Sequence, residues 1–183
     1  RFNIITKFFN IEVFIMISVN SEIPDLKIWE YNLIPTDACP IGPVELSSKK
    51  ELDGKKIGLF GLPGAFTPTC SAKHLPGFIK LHEKLKNILD EIWCVSVNDA
   101  FVMNAWGNDQ KVQSKIRMIG IDQTFATNLG LELNLEARGM GVRIQRFSML
   151  IDNNVVKSIN VEGPGKFEVS TAEVLLNQAT EIF

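Results

Sequence analysis

The sequence has no Cys-x-x-Cys pair, and its three cysteines, at positions 39, 70 and 94, are widely separated. That excludes the usual dithiol oxidoreductase motif and a disulfide-stapled secreted framework, and it points to a reducing compartment. Histidine is scarce as well: there are two, His74 and His82, both following Cys70 on one stretch. A Cys-His hydrolase therefore lacks a distant base, and a zinc site would need carboxylates that the pattern does not place. Neither sign of charge dominates, with 19 Lys and Arg against 21 Asp and Glu, a net charge of -2 and no long basic run. This removes the electrostatic footprint expected of a nucleic-acid or anionic-membrane binder. No apolar run approaches the ~20 residues of a spanning helix. The charge balance leaves a small molecule as the expected partner, and no internal repeat, low-complexity tract or Gly/Ser linker divides the chain.

What is present fits one globular unit. Hydrophobic residues make up 45 % and charged residues 22 % of 183 residues, an ordinary balance for a packed domain. Residues 16–183 read as a single domain. Residues 1–15, rich in Phe, Ile and Asn, read either as a translated upstream stretch or as a targeting or anchoring segment. The expected location is cytoplasmic, or a mitochondrion or other organelle if residues 1–15 are a targeting segment.

Patterning orders the elements. Lys56 to Leu62 is a short apolar run ended by Pro63-Gly64, as expected of a buried strand feeding a loop. A helix should follow, with Thr67 as a cap and Pro68 at its first position. Leu75, Phe78, Ile79, Leu85 and Leu89 recur at helical spacing, and Pro76-Gly77 should kink that helix because Pro76 has no N–H. Ile92 to Val97 suits a central parallel strand. Asn98 or Asp99 can cap a short helix through Trp106, with Gly107 ending it in the left-handed conformation. Asp152-Asn153-Asn154 is a turn between the strands Phe147–Ile151 and Val155–Val161. Ser170 and Glu173 form a capping box, with Val169 and Val174 as its staple, before a last helix. Strand, helix, strand, helix, hairpin and helix, with extra strands in front, is the order of an α/β thioredoxin fold: a mixed central sheet with helices on both faces.

The chemistry concentrates in Gly61 to Phe78, GLPGAFTPTCSAKHLPGF, where a strand ends and a helix begins. Cys70 falls in the first turn of that helix, where unpaired N–H groups and the helix dipole favour an anion; the thiolate is the nucleophilic form. Thr67, three residues earlier, can cap the helix or turn its hydroxyl toward the sulfur or an oxygen bound beside it. His74, one turn later, reads as a structural histidine on a helix face.

Pro63, Thr67 and Cys70 in PGAFTPTCS, followed by His74-Leu75-Pro76-Gly77-Phe78, resemble the peroxiredoxins of the type II, or atypical, subgroup. VSVNDAFVMNAWG from Val95 and RIQRFSMLID from Arg143 extend the resemblance, in the same order, over most of residues 16–183. It implies a thiol peroxidase in which Cys70 is the peroxidatic cysteine and Pro63, Thr67 and Arg143 complete the active site. Arg143 would hold Cys70 as thiolate and bond the peroxide oxygens, while Arg146 keeps the plain reading of a solvated strand-end charge. No metal or organic cofactor is implied. The substrates would be hydrogen peroxide and organic hydroperoxides, and the role antioxidant defence and redox homeostasis. The segment GPGKFEVSTAE lacks the resolving cysteine of some animal members and looks like bacterial members reduced by glutathione with glutaredoxin, or by thioredoxin. Cys94 sits where plant members carry a proposed resolving cysteine, yet an apolar strand should bury it; Cys39 has no assigned role. A homodimer through the edge near the active site is also implied. The rival reading outside enzymology is a thioredoxin-like binding module or redox sensor.

Overall fold

A computed structural model describes residues 16–32 and 42–183; residues 1–15 and Cys39, and the readings that fall on them, lie outside the described residues. The chain enters through the antiparallel pair β1 (Lys27–Asn32) and β2 (Gly42–Ser47), and the short helix α1 (Ser48–Leu52) leads into β3 (Lys56–Gly61). A turn of π-helix at Cys70–His74 continues into α2 (Leu75–Lys86), which returns the chain to β4 (Glu91–Ser96). Then come α3 (Ala100–Asp109), β5 (Arg117–Gly120), α4 (Gln123–Asn128) and a ribbon of β6 (Glu132–Asn134) with β7 (Val142–Ile144). The hairpin β8 (Phe147–Asp152) and β9 (Val155–Val161) and the helix α5 (Ala172–Ile182) complete the fold.

The main sheet has seven strands in the order β2-β1-β5-β4-β3-β8-β9. β3, β4 and β5 are parallel, and β8 and β1 flank them antiparallel. This is the mixed, helix-covered sheet of the thioredoxin fold. Because successive side chains point to opposite faces, adjacent residues of one strand feed different cores. Leu59, Trp93, Val95, Met149 and Ile151 enter one cluster; Phe60, Cys94 and Leu150 enter the other, with Cys70, Leu75, Phe78 and Leu175. The second cluster therefore joins α2 and α5 to the face that carries Cys70. Phe60 and Phe78 stack there at 3.9 Å between centroids, both fully buried; truncating either to Ala should cost about 3–5 kcal/mol.

Several local expectations are redirected by tertiary contacts. Just before Pro76, which lacks an N–H, the helix widens: Leu75 N–H donates to Cys70 O across a π-turn. α3 is capped by Asp99, as expected, but runs through Gly107, where an added Cβ would lie 2.9 Å from Met118 Cγ; Gly107 serves close packing rather than termination. α5 is capped by Thr171, whose side chain accepts from Val174 N–H, because Ser170 is engaged elsewhere. The short strand β5 carries too few residues for a periodicity to emerge and is defined by its parallel pairing with β4.

Candidate active site

β3 and β8 run antiparallel with Gly61 opposite Phe147, so the exit of β3 and the entrance of β8 lie side by side. A Cβ on Gly61 would fall 2.0 Å from Phe147 Cε1, and only glycine allows this approach. The loop that leaves β3 carries Pro63, half-buried, and is pinned by Ala65 N–H donating to Asn98 Oδ1 at 3.0 Å. Phe66 then takes a left-handed φ of 61° and is 56 % exposed. Thr67 does not cap the helix with its side chain. Its hydroxyl donates to Gly64 O at 2.8 Å while its carbonyl accepts from Ser71 N–H at 3.0 Å.

Cys70 opens the π-turn and is 0 % exposed. The arginine on its sulfur is Arg146, not Arg143: Arg146 Nη2 donates to Cys70 Sγ at 3.2 Å. This corrects the sequence expectation, and the register gives the reason. Arg146 immediately precedes Phe147, the residue paired with the end of β3, so it lies beside the loop that leads to Cys70. Arg143, within β7, is turned aside: its Nε donates to Met140 O at 2.7 Å and its Nη1 to Val97 O at 2.9 Å. It still borders the loop, since a Cβ on Gly64 would lie 3.7 Å from Arg143 Nη1.

His74 is fully buried among Phe60, Phe78 and Phe167, with ring centroids at 5.0, 5.6 and 5.0 Å. Its Nε2 lies 3.0 Å from Ser170 O; a carbonyl only accepts, so Nε2 carries the proton. Nδ1 is then free to accept from Arg146 Nη1 at 3.0 Å. Burial first, and the Arg146 charge second, push the His74 pKa down to about 3. The imidazole is thus neutral, and it holds one terminal nitrogen of the guanidinium while the other reaches the sulfur. The Arg146 guanidinium also lies 5.7 Å from the centre of the Phe167 ring. Sequence reasoning missed both Arg146 and the His74–Arg146 contact, because spacing along the chain cannot report a pairing across 72 residues.

The remaining site residues are supporting groups. Trp106 Nε1 donates to Ser71 Oγ at 3.1 Å, placing an indole beside the Cys70 turn. Cys94 shares the buried cluster with Cys70, and burial, reinforced by the Cys70 charge, pushes its thiol pKa well up. Among the described residues, no group of three or more His, Cys, Asp or Glu side chains could hold a metal ion.

A thiol held by an arginine at the end of a thioredoxin-fold strand has relatives. Residues 18–176 match the Redoxin family model. Peroxiredoxin-2D of Arabidopsis thaliana is 50 % identical over 125 residues, covering 67 % of this chain and 77 % of that protein. The chloroplastic Peroxiredoxin-2E of the same plant is 40 % identical over 164 residues, or 87 % of this chain and 68 % of its own. The structure of reduced Prx3 from Vibrio vulnificus in complex with hydrogen peroxide superposes with a TM-score of 0.82 at 43 % identity, covering 90 % of this chain and 99 % of that one. The chain therefore belongs to the redoxin family and, within it, to the type II peroxiredoxins, which are thiol peroxidases.

Proposed function

We propose that the chain reduces hydrogen peroxide and small organic hydroperoxides in a one-cysteine cycle, with Cys70 as nucleophile and Arg146 as its principal partner. The observation that carries this is the 3.2 Å contact of Arg146 Nη2 with a fully buried Cys70 Sγ. The thiolate attacks one peroxide oxygen, the oxygen–oxygen bond breaks, and the other oxygen leaves as hydroxide or alkoxide and takes up a proton. The guanidinium stabilises both the attacking and the departing anion. Thr67 has given its one hydroxyl proton to Gly64 O, so its oxygen retains only acceptor capacity, which suits a peroxide O–H. Pro63 would shield the sulfur and limit oxidation beyond sulfenic acid. Arg143, bonded to Met140 O and Val97 O, fits a second cation that shapes the loop and the local potential.

The sulfenic acid would condense with glutathione, releasing water and leaving a mixed disulfide that a second thiol, of glutathione or glutaredoxin, reduces; thioredoxin is the alternative reductant. Two features support an external thiol. The 162–170 segment holds no cysteine, and Cys94 is fully buried with its thiol held protonated by burial. A cytoplasmic location fits a glutathione-linked cycle, and relatives named chloroplastic and mitochondrial make an organelle the alternative. The dimer reading is supported by exposed Phe66, and by exposed Phe101 at an apolar groove that it lines with Trp29, Pro43, Val97 and Ile121.

The test is stopped-flow oxidation of the reduced protein by hydrogen peroxide, followed by tryptophan fluorescence. A fast phase should vanish in Cys70→Ser, fall roughly 100-fold or more in Arg146→Ala and fall much less in Arg143→Ala. Steady-state turnover with glutathione and glutaredoxin, and separately with thioredoxin, then identifies the reductant. A rate no faster than that of free cysteine would sink the peroxidase reading.

A further inference from the structure

Glu162 takes no part in the peroxide chemistry, yet its carboxylate is withdrawn from water at 8 % exposure, just past the end of β9. Its Oε1 accepts four hydrogen bonds: from the N–H groups of Glu168 at 2.7 Å, Val169 at 2.8 Å and Ser170 at 2.8 Å, and from Ser170 Oγ at 2.9 Å. Three consecutive N–H groups converging on one oxygen form an anion-binding nest. Here the anion belongs to the chain itself, so the turn between residues 162 and 170 is closed by its own first residue. The backbone N–H of Glu162 meanwhile donates to Arg146 O at 2.9 Å.

The contacts form a ring. Glu162 holds the main chain of Arg146 on one side and the 168–170 segment on the other. Ser170 O accepts from His74 Nε2, His74 Nδ1 accepts from Arg146 Nη1, and Arg146 Nη2 reaches Cys70 Sγ. Phe167, inside the closed turn, packs its ring against both His74 and Arg146. Among the described residues no carboxylate pairs with Arg146, so His74, Phe167 and the sulfur are what orient it. Of these, His74 and Phe167 both depend on the 162–170 turn. We infer that Glu162 is a positioning residue for the peroxide reaction: by bonding residues 168–170 it fixes Ser170 and His74, and through them the Arg146 guanidinium on the Cys70 sulfur. Loss of that anchor lets the guanidinium swing, and a displacement near 1 Å at a catalytic donor is worth roughly 100-fold in rate.

The inference rests on the peroxidase reading of Cys70, and the test separates the two. Glu162→Gln and Glu162→Ala are each prepared alone and together with Arg146→Lys in the full chain, and Cys70 oxidation by hydrogen peroxide is timed. Glu162→Ala should lower the second-order rate constant roughly 10- to 100-fold. Glu162→Gln, which keeps an acceptor oxygen on the same stem, should fall between it and the wild type. In the Arg146→Lys background neither substitution should lower the rate further, because the group they position is gone. Nitrogen-15 NMR should show His74 losing its fixed Nε2–H tautomer in Glu162→Ala. A wild-type rate in Glu162→Ala overturns the inference, and so does an equal fold loss with or without Arg146. If Glu162→Ala fails to fold, Glu162→Gln is judged by the same two criteria. A slow wild type sinks the peroxidase reading itself, whereas a fast wild type unaffected at Glu162 sinks only the positioning role.

Discussion

Arg117, in β5, and Arg146, just before β8, are both half-buried arginines, and their surroundings differ in one respect that decides what each can do. Arg117, at the start of β5, is saturated by carboxylates: Nη2 bonds Glu30 at 2.6 Å, and Nη1 bonds Glu51 at 2.8 Å and Glu91 at 2.9 Å. Its side chain also covers the Trp93 ring at 5.0 Å. The carboxylates hold its pKa up against burial. Arg146 instead meets a neutral imidazole, an aromatic face and a sulfur. An arginine whose donors all end on carboxylates has its charge cancelled and fastens β1, α1 and β4 to β5. An arginine kept clear of carboxylates retains its positive potential, available to an anion beside it. The neutral His74 makes this possible, since it accepts a hydrogen bond without cancelling charge.

The sharpest way to break that contrast is to exchange the roles by substitution. Arg146→Met should reduce the rate of Cys70 oxidation roughly 100- to 1,000-fold while leaving thermal stability within about 1 kcal/mol. Arg117→Met should do the reverse, costing about 1–3 kcal/mol by removing the cation that Glu30, Glu51 and Glu91 share, with the oxidation rate within about twofold of wild type. If Arg117→Met slowed oxidation as much as Arg146→Met, the division of labour would be wrong.

Acid distinguishes the same two regions by a smaller amount. His74 has its folded-state pKa depressed to about 3 from an ordinary 6.5, so its contribution to stability is complete above pH 6.5 and is lost as pH falls toward 3. By that linkage the fold should lose about 2 kcal/mol between pH 7 and pH 5, all from the Arg146 side. Glu91 is pushed up by burial, but hydrogen bonds from Lys55, Trp93 and Arg117 outweigh that and hold it at about 2. Its contribution is complete above pH 4.5 and is lost only below. Denaturant unfolding from pH 7 to 3 should therefore show two stages, with His74→Asn flattening the first and Glu91→Gln the second. A wild-type slope persisting in His74→Asn between pH 7 and 5 would refute the assignment. The smallest effect is expected at Cys94→Ala, which should retain turnover with glutathione within a factor of about two after a modest packing loss; complete loss of turnover in a folded variant would assign Cys94 the resolving role.

Much of this architecture was legible because its signals are local. The runs Lys56–Leu62 and Ile92–Val97, the Asn153-Asn154 turn with φ of 47° and 68°, and Asp99 as a cap each follow from side-chain chemistry within a few residues. Where a local rule failed, a distant partner had overridden it. Ser170 is a good cap by type, but its hydroxyl and N–H are taken by Glu162 and Thr171 caps in its place. Gly107 is a good terminator by type, but it is buried against Met118 inside α3.

The sequence by itself determined that a cysteine sits where a strand gives way to a helix, since periodicity and the spacing of Pro63, Thr67 and Cys70 are properties of neighbours. Only the tertiary structure decided which arginine serves it. Arg143 and Arg146 are three residues apart and chemically identical, and what separates them is that Phe147 lies opposite Gly61 across two antiparallel strands. That register brings Arg146 onto a sulfur 76 residues away and leaves Arg143 to Val97 and Met140, a choice fixed by pairing between strands that are distant in the chain.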